Sequence, residues 1–151
     1  MYIHAERKIF APPADLWAYL ADFGNIHAFH PFLKGSQLTE GTRSCEVGGT
    51  RQCDMKDGNF LKERIVEWKE GSHYTVEIYE TSLPLKKARA TLGVRPLDDG
   101  GSAAYMTMDI QLKSPFMRPF MYVMTRYITV PGILRGLEEM HQQRSAPQAT
   151  A

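Results

Sequence analysis

The chain has 151 residues, of which 43% are hydrophobic and 23% charged, so we expect one domain that buries a core. Its 18 basic residues nearly balance its 17 acidic residues, which argues against nucleic acid as a partner. No apolar run approaches the roughly 20 residues of a membrane span, and the N-terminus lacks the apolar core of a signal peptide. We therefore expect a cytoplasmic protein without integral membrane association, in which Cys45 and Cys53 are free, buried thiols.

The first part of the chain predicts one strand followed by two short helices. Residues 2–10 form the strand, which ends at Pro12 and Pro13 because proline offers no donor to a strand ladder. Proline also fits the first turn of a helix. The next apolar residues recur at helical spacing: Leu16, Trp17, Tyr19, Leu20 and Phe23. Residues 25–29 predict a second short helix, which ends at Pro31.

The middle of the chain predicts an antiparallel sheet. Six further strands are expected over residues 33–40, 44–55, 60–68, 74–81, 88–96 and 103–112. Turn signals separate them at short intervals, among them residues 56–59 and 98–101. Such close spacing is typical of hairpins and does not fit the crossover helices of a parallel sheet.

The last part of the chain predicts a long helix over residues 114–143. Ser114 is its expected N-cap, and apolar residues then recur every three or four positions. Pro131 should kink or break this helix, because proline removes one backbone hydrogen bond and clashes with the preceding turn. Residues 144–151 predict a disordered tail that follows a single domain over residues 1–143.

Side chains alternate between the two faces of a strand, so residues at every second position share a face, which we call their parity. This parity places one basic and one acidic residue in the predicted interior. Arg51 shares parity with the apolar residues of its strand, and Glu63 shares parity with Leu61 and Ile65 of the next strand. If both apolar sets face inward, the two charges lie close enough for a salt bridge. A two-residue turn at residues 57–58 would place odd-numbered residues opposite even-numbered ones, and Arg51 would then not face Glu63. We therefore expect a longer turn or a bulge near residues 56–59. The pair is either a structural bridge or an anchor for the polar head of a ligand.

Other candidate residues carry weaker signals. His27 and His30 have a spacing that suits a metal ion, but no third ligand is evident, so we expect packing histidines, no metal and no cofactor. Trp17 is expected in the core. The eight methionines either fill gaps in the core or line a cavity that accepts varied apolar ligands. Either parity of residues 74–81 fits an inward face, and Tyr79 is assigned to the interior on one of these two interpretations.

This element order, together with the Pro12-Pro13 helix start, His30-Pro31-Phe32 and Val47-Gly48-Gly49-Thr50-Arg51, resembles the helix-grip superfamily. That group includes START-like lipid carriers, birch-pollen allergens, plant abscisic-acid receptors and bacterial polyketide cyclase/dehydrase-like proteins. The resemblance covers about residues 2–142. It implies an α+β fold in which a curved, roughly seven-stranded antiparallel sheet wraps around the long C-terminal helix and encloses an apolar cavity.

The resemblance also implies roles for three polar residues. The cavity glutamate of the hormone receptors' Glu-Arg-Leu motif corresponds to Glu63, an arginine after a Val-Gly pair corresponds to Arg51, and a cavity lysine corresponds to Lys34. The gate and latch sequences of those receptors are absent, so a hormone-receptor role is not implied. The full set of expected ligand-binding residues is Lys34, Arg51, Cys53, Leu61, Glu63, Ile65, Tyr79, Ala90, Leu92, Met106, Met108, Phe120 and Met124.

Two functions fit these expectations. The first is binding or carriage of a small hydrophobic or amphipathic molecule in the internal cavity. The second is a polyketide cyclase/dehydrase-like enzyme that acts on an aromatic or polyketide substrate in the same cavity. In the enzyme, Glu63 is the best candidate for an acid or base, and Arg51 would stabilise charge. The expected partner is a small hydrophobic ligand, and a homodimer stays open.

Overall fold

Seven antiparallel strands form one sheet in the computed structural model, which describes residues 1–39 and 45–145. The strands are β1 Tyr2–Ile9, β2 Leu33–Leu38, β3 Thr50–Met55, β4 Phe60–Lys69, β5 His73–Thr81, β6 Leu85–Pro96 and β7 Ser102–Leu112. Their order across the sheet is β1-β7-β6-β5-β4-β3-β2, and every neighbouring pair is antiparallel. The predicted antiparallel sheet is confirmed.

Two short helices connect the edge strands β1 and β2. Helix α1 spans Pro13–Ala21 and begins with proline in its first turn, as the sequence predicts. A 3-10 helix over Phe23–Ala28 follows it in place of the predicted helix over residues 25–29. The inward side chains of α1 are Leu16, Trp17 and Leu20, so the helix covers one end of the sheet's inner face.

The C-terminal helical segment has four parts. A 3-10 turn spans Pro115–Met117, α2 spans Arg118–Met124, a π-helical turn spans Thr125–Thr129 and α3 spans Val130–Ser145. The break expected at Pro131 takes the form of this π turn, in which the Val130 N–H donates to the Thr125 carbonyl, one residue further back than in an α-helix. Such a turn accommodates a proline that cannot donate to the preceding turn.

Several boundaries differ from the sequence prediction, and β6 begins at Leu85 where residue 88 was expected. The strand expected over residues 44–55 begins only at Thr50, since Cys45 (φ +70°) and Gly48 (φ +96°) adopt left-handed backbone that a strand cannot contain. The strand expected over residues 33–40 ends at Leu38, and residues 40 and 44 lie outside the described residues. Helix α3 includes the first two residues of the expected tail, whose remaining residues 146–151 also lie outside the described ones.

The β3–β4 hairpin has the longer turn that strand parity requires. Met55 and Asn59 are joined by a 2.8 Å backbone hydrogen bond, which leaves a three-residue loop in which Gly58 has a φ of +91°. Arg51 is consequently the direct cross-strand partner of Glu63. The prediction that these two residues meet is confirmed.

Gly136 is needed for a close approach between α3 and the 3-10 helix. A Cβ atom at this position would lie 2.0 Å from the carbonyl oxygen of Phe29. The small residues Ala88, Ala90 and Gly136 predict open space in the interior, and for Ala88 and Gly136 that prediction is wrong. Gly136 lets two backbones touch, and Ala88 packs with Leu85 and Ile110 in a small buried cluster. No helix in the described part of the chain is long and apolar enough to cross a membrane.

Candidate ligand-binding cavity

A cavity of about 530 Å³ lies between the inner face of the sheet and the C-terminal helical segment. Strands β2 to β7 supply one wall, and α2 with the π turn supplies the other. Six of the eight methionines face it: Met55, Met106, Met108, Met117, Met121 and Met124. Leu83 and Pro84 of the β5–β6 turn and Lys56 and Asp57 of the β3–β4 hairpin form the rim of its mouth.

Nine of the thirteen predicted ligand-binding residues line this cavity: Arg51, Leu61, Glu63, Ala90, Leu92, Met106, Met108, Phe120 and Met124. The other four, Lys34, Cys53, Ile65 and Tyr79, do not. The alternation of side chains correctly sorted β6 and β7 from residue 88 onward, where their register has no shift. The four exceptions lie where a bulge or neighbouring side chains change what a position faces.

Two of the exceptions lie on the surface, each for a local reason. A bulge between Leu33 and Gly35 leaves Lys34 exposed to solvent. Tyr79 lies on the outer face of β5, where its ring packs 4.5 Å from the Arg64 guanidinium. These positions are therefore corrected to surface residues.

Cys53 and Ile65 do face the interior, but other core side chains cover them. Cys53 is 1% exposed and Ile65 is fully buried. The other thiol that the sequence predicts to be buried, Cys45, is exposed. Burial also raises the pKa of the Cys53 thiol to about 12, so the sulfur stays protonated and is not a nucleophile at neutral pH.

An ion pair between Arg51 and Glu63 closes the inner end of the cavity. Arg51 Nε and Nη2 donate to Glu63 Oε2 at 3.0 and 2.6 Å. Arg51 Nη1 donates to the Phe23 carbonyl at 3.0 Å and to the Tyr74 hydroxyl at 3.3 Å. The guanidinium carbon also lies 4.1 Å from the centre of the Phe23 ring. Burial opposes the charge, but Glu63 and Tyr74 outweigh it and raise the pKa of Arg51 above its ordinary value.

This geometry leaves an acceptor open toward the cavity. The protein occupies almost all donors of Arg51, so the guanidinium has little left to offer a ligand. Both hydrogen bonds to Glu63 reach Oε2, and no described residue donates to its Oε1. Since Glu63 lines the cavity, the structure offers an incoming group the carboxylate oxygen, not the arginine.

His30 is a cavity residue that the sequence analysis assigned only to packing. It lines the cavity, and its Nδ1 accepts the Phe32 backbone N–H at 3.3 Å. Burial, with a contribution from the charge of Arg51, lowers the pKa of His30 to about 4. The imidazole is therefore neutral at pH 7, and its proton is on Nε2, which makes that nitrogen a donor. Its companion His27 is exposed and contacts Ser36.

An aromatic cluster supports the polar end of the cavity from behind. Tyr74 stacks on Trp68 at 5.4 Å and meets Trp17 edge-on at 6.5 Å. Glu70 accepts both indole N–H groups, at 2.9 Å from Trp17 and 2.8 Å from Trp68. Trp17 is thus a core residue, as expected, and the cluster fixes the hydroxyl that Arg51 contacts.

The π turn contributes two residues that sequence reasoning missed. Thr125 and Thr129 line the cavity, although neither belongs to the apolar stripe of the helix. The wider turn rotates them toward the interior, as π turns do at many binding sites. Pro131 was the available signal, because a proline inside a helical pattern often marks such a turn. Within the described residues, no group of His, Cys, Asp and Glu could hold a metal ion.

Residues 2–143 match the family described as polyketide cyclase/dehydrase and lipid transport proteins. The chain belongs to this family. The match spans nearly the whole length and agrees with the helix-grip fold seen here. No curated protein matches the chain.

Solved structures with the same fold come from several bacteria. A protein of Thermobifida fusca is 24% identical over 95% of both chains, with a TM-score of 0.80. One from Thermus thermophilus is 18% identical over 97% of this chain and 100% of its own, with a TM-score of 0.79. A START superfamily protein of Mycobacterium smegmatis is 14% identical over 95% of this chain and 99% of its own, with a TM-score of 0.79. At such identities the likeness shows the fold alone.

Proposed function

We propose that this protein binds and carries a small, largely apolar molecule whose single polar head is a hydroxyl group. The observation that carries the proposal is the cavity itself, with its apolar walls and a few polar groups at its inner end. A volume of about 530 Å³ lies within the range of pockets that enclose small ligands. Membership of a family that includes lipid transport proteins supports it further.

The methionines favour a ligand that varies in shape. Six of them surround the cavity from both walls, and unbranched, polarisable side chains adapt to different apolar surfaces. A rigid core would use branched residues with fewer rotamers. The cavity therefore suits a flexible chain or a family of related ring compounds.

The inner end of the cavity selects the head group. A hydroxyl can donate to Glu63 Oε1 and accept from His30 Nε2, which satisfies both open groups at once. A carboxylate head would place a negative charge beside that same oxygen, and Arg51 is already neutralised by its partner. The pair therefore anchors a neutral head and excludes an anionic one.

A displacement assay tests this selectivity. The neutral probe N-phenyl-1-naphthylamine should fluoresce when it enters the cavity, and 1-dodecanol should displace it. We expect dodecanol to bind about tenfold or more tightly than dodecanoate, because each factor of ten needs only about 1.4 kcal/mol. Equal displacement by both compounds would contradict the head-group assignment, and absence of probe uptake would contradict a carrier altogether. Native mass spectrometry of the purified protein then identifies any ligand that it retains.

Catalysis in the same cavity is the second candidate function. The observation that favours it is the presence of an acceptor, Glu63 Oε1, and a donor, His30, beside one apolar chamber. In a dehydration, Glu63 would remove a proton next to a carbonyl that accepts a hydrogen bond from His30, and would then give the same proton to the β-hydroxyl, which leaves as water. The family includes enzymes described as cyclases and dehydrases.

Glu63→Gln distinguishes the two candidates. If Glu63 is a base, this variant should lose turnover of a β-hydroxyacyl thioester, detected as loss of one water by mass spectrometry, while dodecanol binding is retained. If Glu63 only anchors a head group, the wild type shows no turnover and the variant binds dodecanol more weakly. Lys62→Gln, on the solvent side of the same strand, is the matched control and should change neither measurement.

A further inference from the structure

An exposed stripe of three aromatic residues and one valine runs along the helical segment that covers the cavity, and one of its members, Phe120, also lines the cavity. Phe116, Phe120, Val123 and Tyr127 are 92%, 62%, 52% and 64% exposed. Their spacings of four, three and four residues place them on one face. No residue of α2 is fully buried, and Met121, which packs against the Leu85 and Ile110 cluster, is its contact with a buried core.

Unpaired basic residues surround this stripe. Lys113 and Arg118 flank its start, and Lys86 and Lys87 follow the β5–β6 turn at the rim of the cavity. The Lys113 N–H donates to the Pro84 carbonyl, which joins the two segments. None of these four side chains forms an ion pair with a described residue.

Besides Arg51, five basic residues elsewhere on the sheet do form ion pairs, although Lys34, Arg64 and Lys69 do not pair with any described residue. Arg7, Lys8, Lys62, Arg89 and Arg95 each pair with a carboxylate. Residues 110–137 contain no aspartate or glutamate at all. The positive charge of a nearly neutral protein is thus concentrated next to its most exposed apolar surface.

We propose that this face, defined by Phe116, Phe120, Val123 and Tyr127 with Lys113 and Arg118, docks onto an anionic lipid surface. A helix with aromatic residues on one side and basic residues beside them inserts its apolar face between head groups, while the cations meet anionic lipids. The inner side of the same helix, with Met121 and Met124, lines the cavity. Docking would place the cavity mouth against the bilayer, from which an apolar ligand could move without crossing water.

A second copy of this chain fits the face less well. A symmetric dimer brings identical patches together, so Lys113 and Arg118 of both copies would meet with no carboxylate in residues 110–137 to pair with them. Like charges across an interface oppose association. A lipid surface supplies the missing negative charge.

Vesicle sedimentation tests the proposal. The full chain should bind vesicles of phosphatidylcholine with phosphatidylglycerol, and bind vesicles of phosphatidylcholine alone much more weakly. Phe116 and Tyr127 do not line the cavity, so the double variant Phe116→Ser/Tyr127→Ser should lower vesicle partitioning about tenfold or more. Lys113→Ser/Arg118→Ser should lower binding to the anionic vesicles by a similar factor, and added salt should do the same in the wild type.

Controls separate this proposal from ligand binding. Phe10 is 81% exposed just beyond the end of β1, and Phe10→Ser should leave vesicle binding unchanged. Uptake of N-phenyl-1-naphthylamine in solution should be the same in all these variants, since none of them alters the cavity. Wild-type protein that ignores anionic vesicles would overturn the docking proposal while probe uptake still supports the cavity. A dimer in light scattering that Phe116→Ser dissociates would overturn it too, because the face would then bind a second copy.

Discussion

The two ends of the interior are built in opposite ways. At the inner end, Arg51, Glu63 and Tyr74 are packed against Phe23 and an aromatic cluster. Every polar side-chain atom of the described residues that is fully enclosed has a hydrogen-bond partner, whereas Glu63 Oε1 is open to the cavity. At the mouth, methionines face an unfilled volume and α2 contains no buried residue. Hydrogen bonds and ring contacts order the inner end, whereas few such contacts hold the outer end.

This difference shows how one small domain can be both stable and hollow. The core around α1, α3 and the inner end supplies the buried area, with side chains such as Phe23, Leu16 and Ile133 at 2% exposure or less. The strands and helix that surround the mouth are then free to leave space. Substitutions at the inner end should therefore affect folding, and equivalent ones at the outer end should affect binding.

The largest effect is expected from breaking the ion pair. Arg51→Ala would leave the buried Glu63 without its counter-charge, which costs roughly 3–5 kcal/mol of unfolding free energy. Denaturant titration followed by tryptophan fluorescence measures the change. The double variant Arg51→Met/Glu63→Leu should recover most of that loss, because an apolar pair needs no charge compensation. A loss below about 1 kcal/mol in the single variant would show that water reaches the inner end.

The next effect concerns pH and His30. The folded protein lowers the pKa of this histidine from 6.5 to about 4, so between these values the unfolded chain binds the proton more readily. The contribution of neutral His30 to the unfolding free energy is fully present above pH 6.5 and is lost as the pH falls toward 4. The loss amounts to up to about 3 kcal/mol. His30→Phe should remove this part of the slope of unfolding free energy against pH. The difference between the wild-type and variant curves of unfolding free energy against pH isolates the contribution of His30. His27→Gln, at an exposed histidine, should retain the wild-type slope.

The smallest effect compares two alanines on the inner face of the sheet. Ala104 is fully buried in the packed core, whereas Ala90 lines the cavity. Ala104→Leu should cost about 1–3 kcal/mol by overpacking. Ala90→Leu should change stability by less than about 0.5 kcal/mol and weaken uptake of N-phenyl-1-naphthylamine, because the side chain enters empty space. If both variants are equally destabilised, the two ends do not differ in packing.

Local rules in the sequence determined much of the fold and part of the site. Turn residues at short intervals fixed an antiparallel sheet, and Pro12 and Pro13 fixed the start of α1. The strict alternation of side chains along a strand predicted that Arg51 lies opposite Glu63. It also predicted a longer turn or a bulge between them, which is a three-residue loop in the structure. These features could be predicted because each depends on residues that are near in the chain or related by a simple register.

Tertiary structure alone decided which surfaces stay open. The bulge that exposes Lys34 and the outward face of Tyr79 depend on how distant elements pack, which no local period encodes. The neutral state of His30 likewise follows from burial and from the charge of Arg51, which lies far from it in the chain. An apolar side chain in the sequence has the same pattern whether it meets a neighbour or a void, and only the assembled sheet and helix distinguish the two.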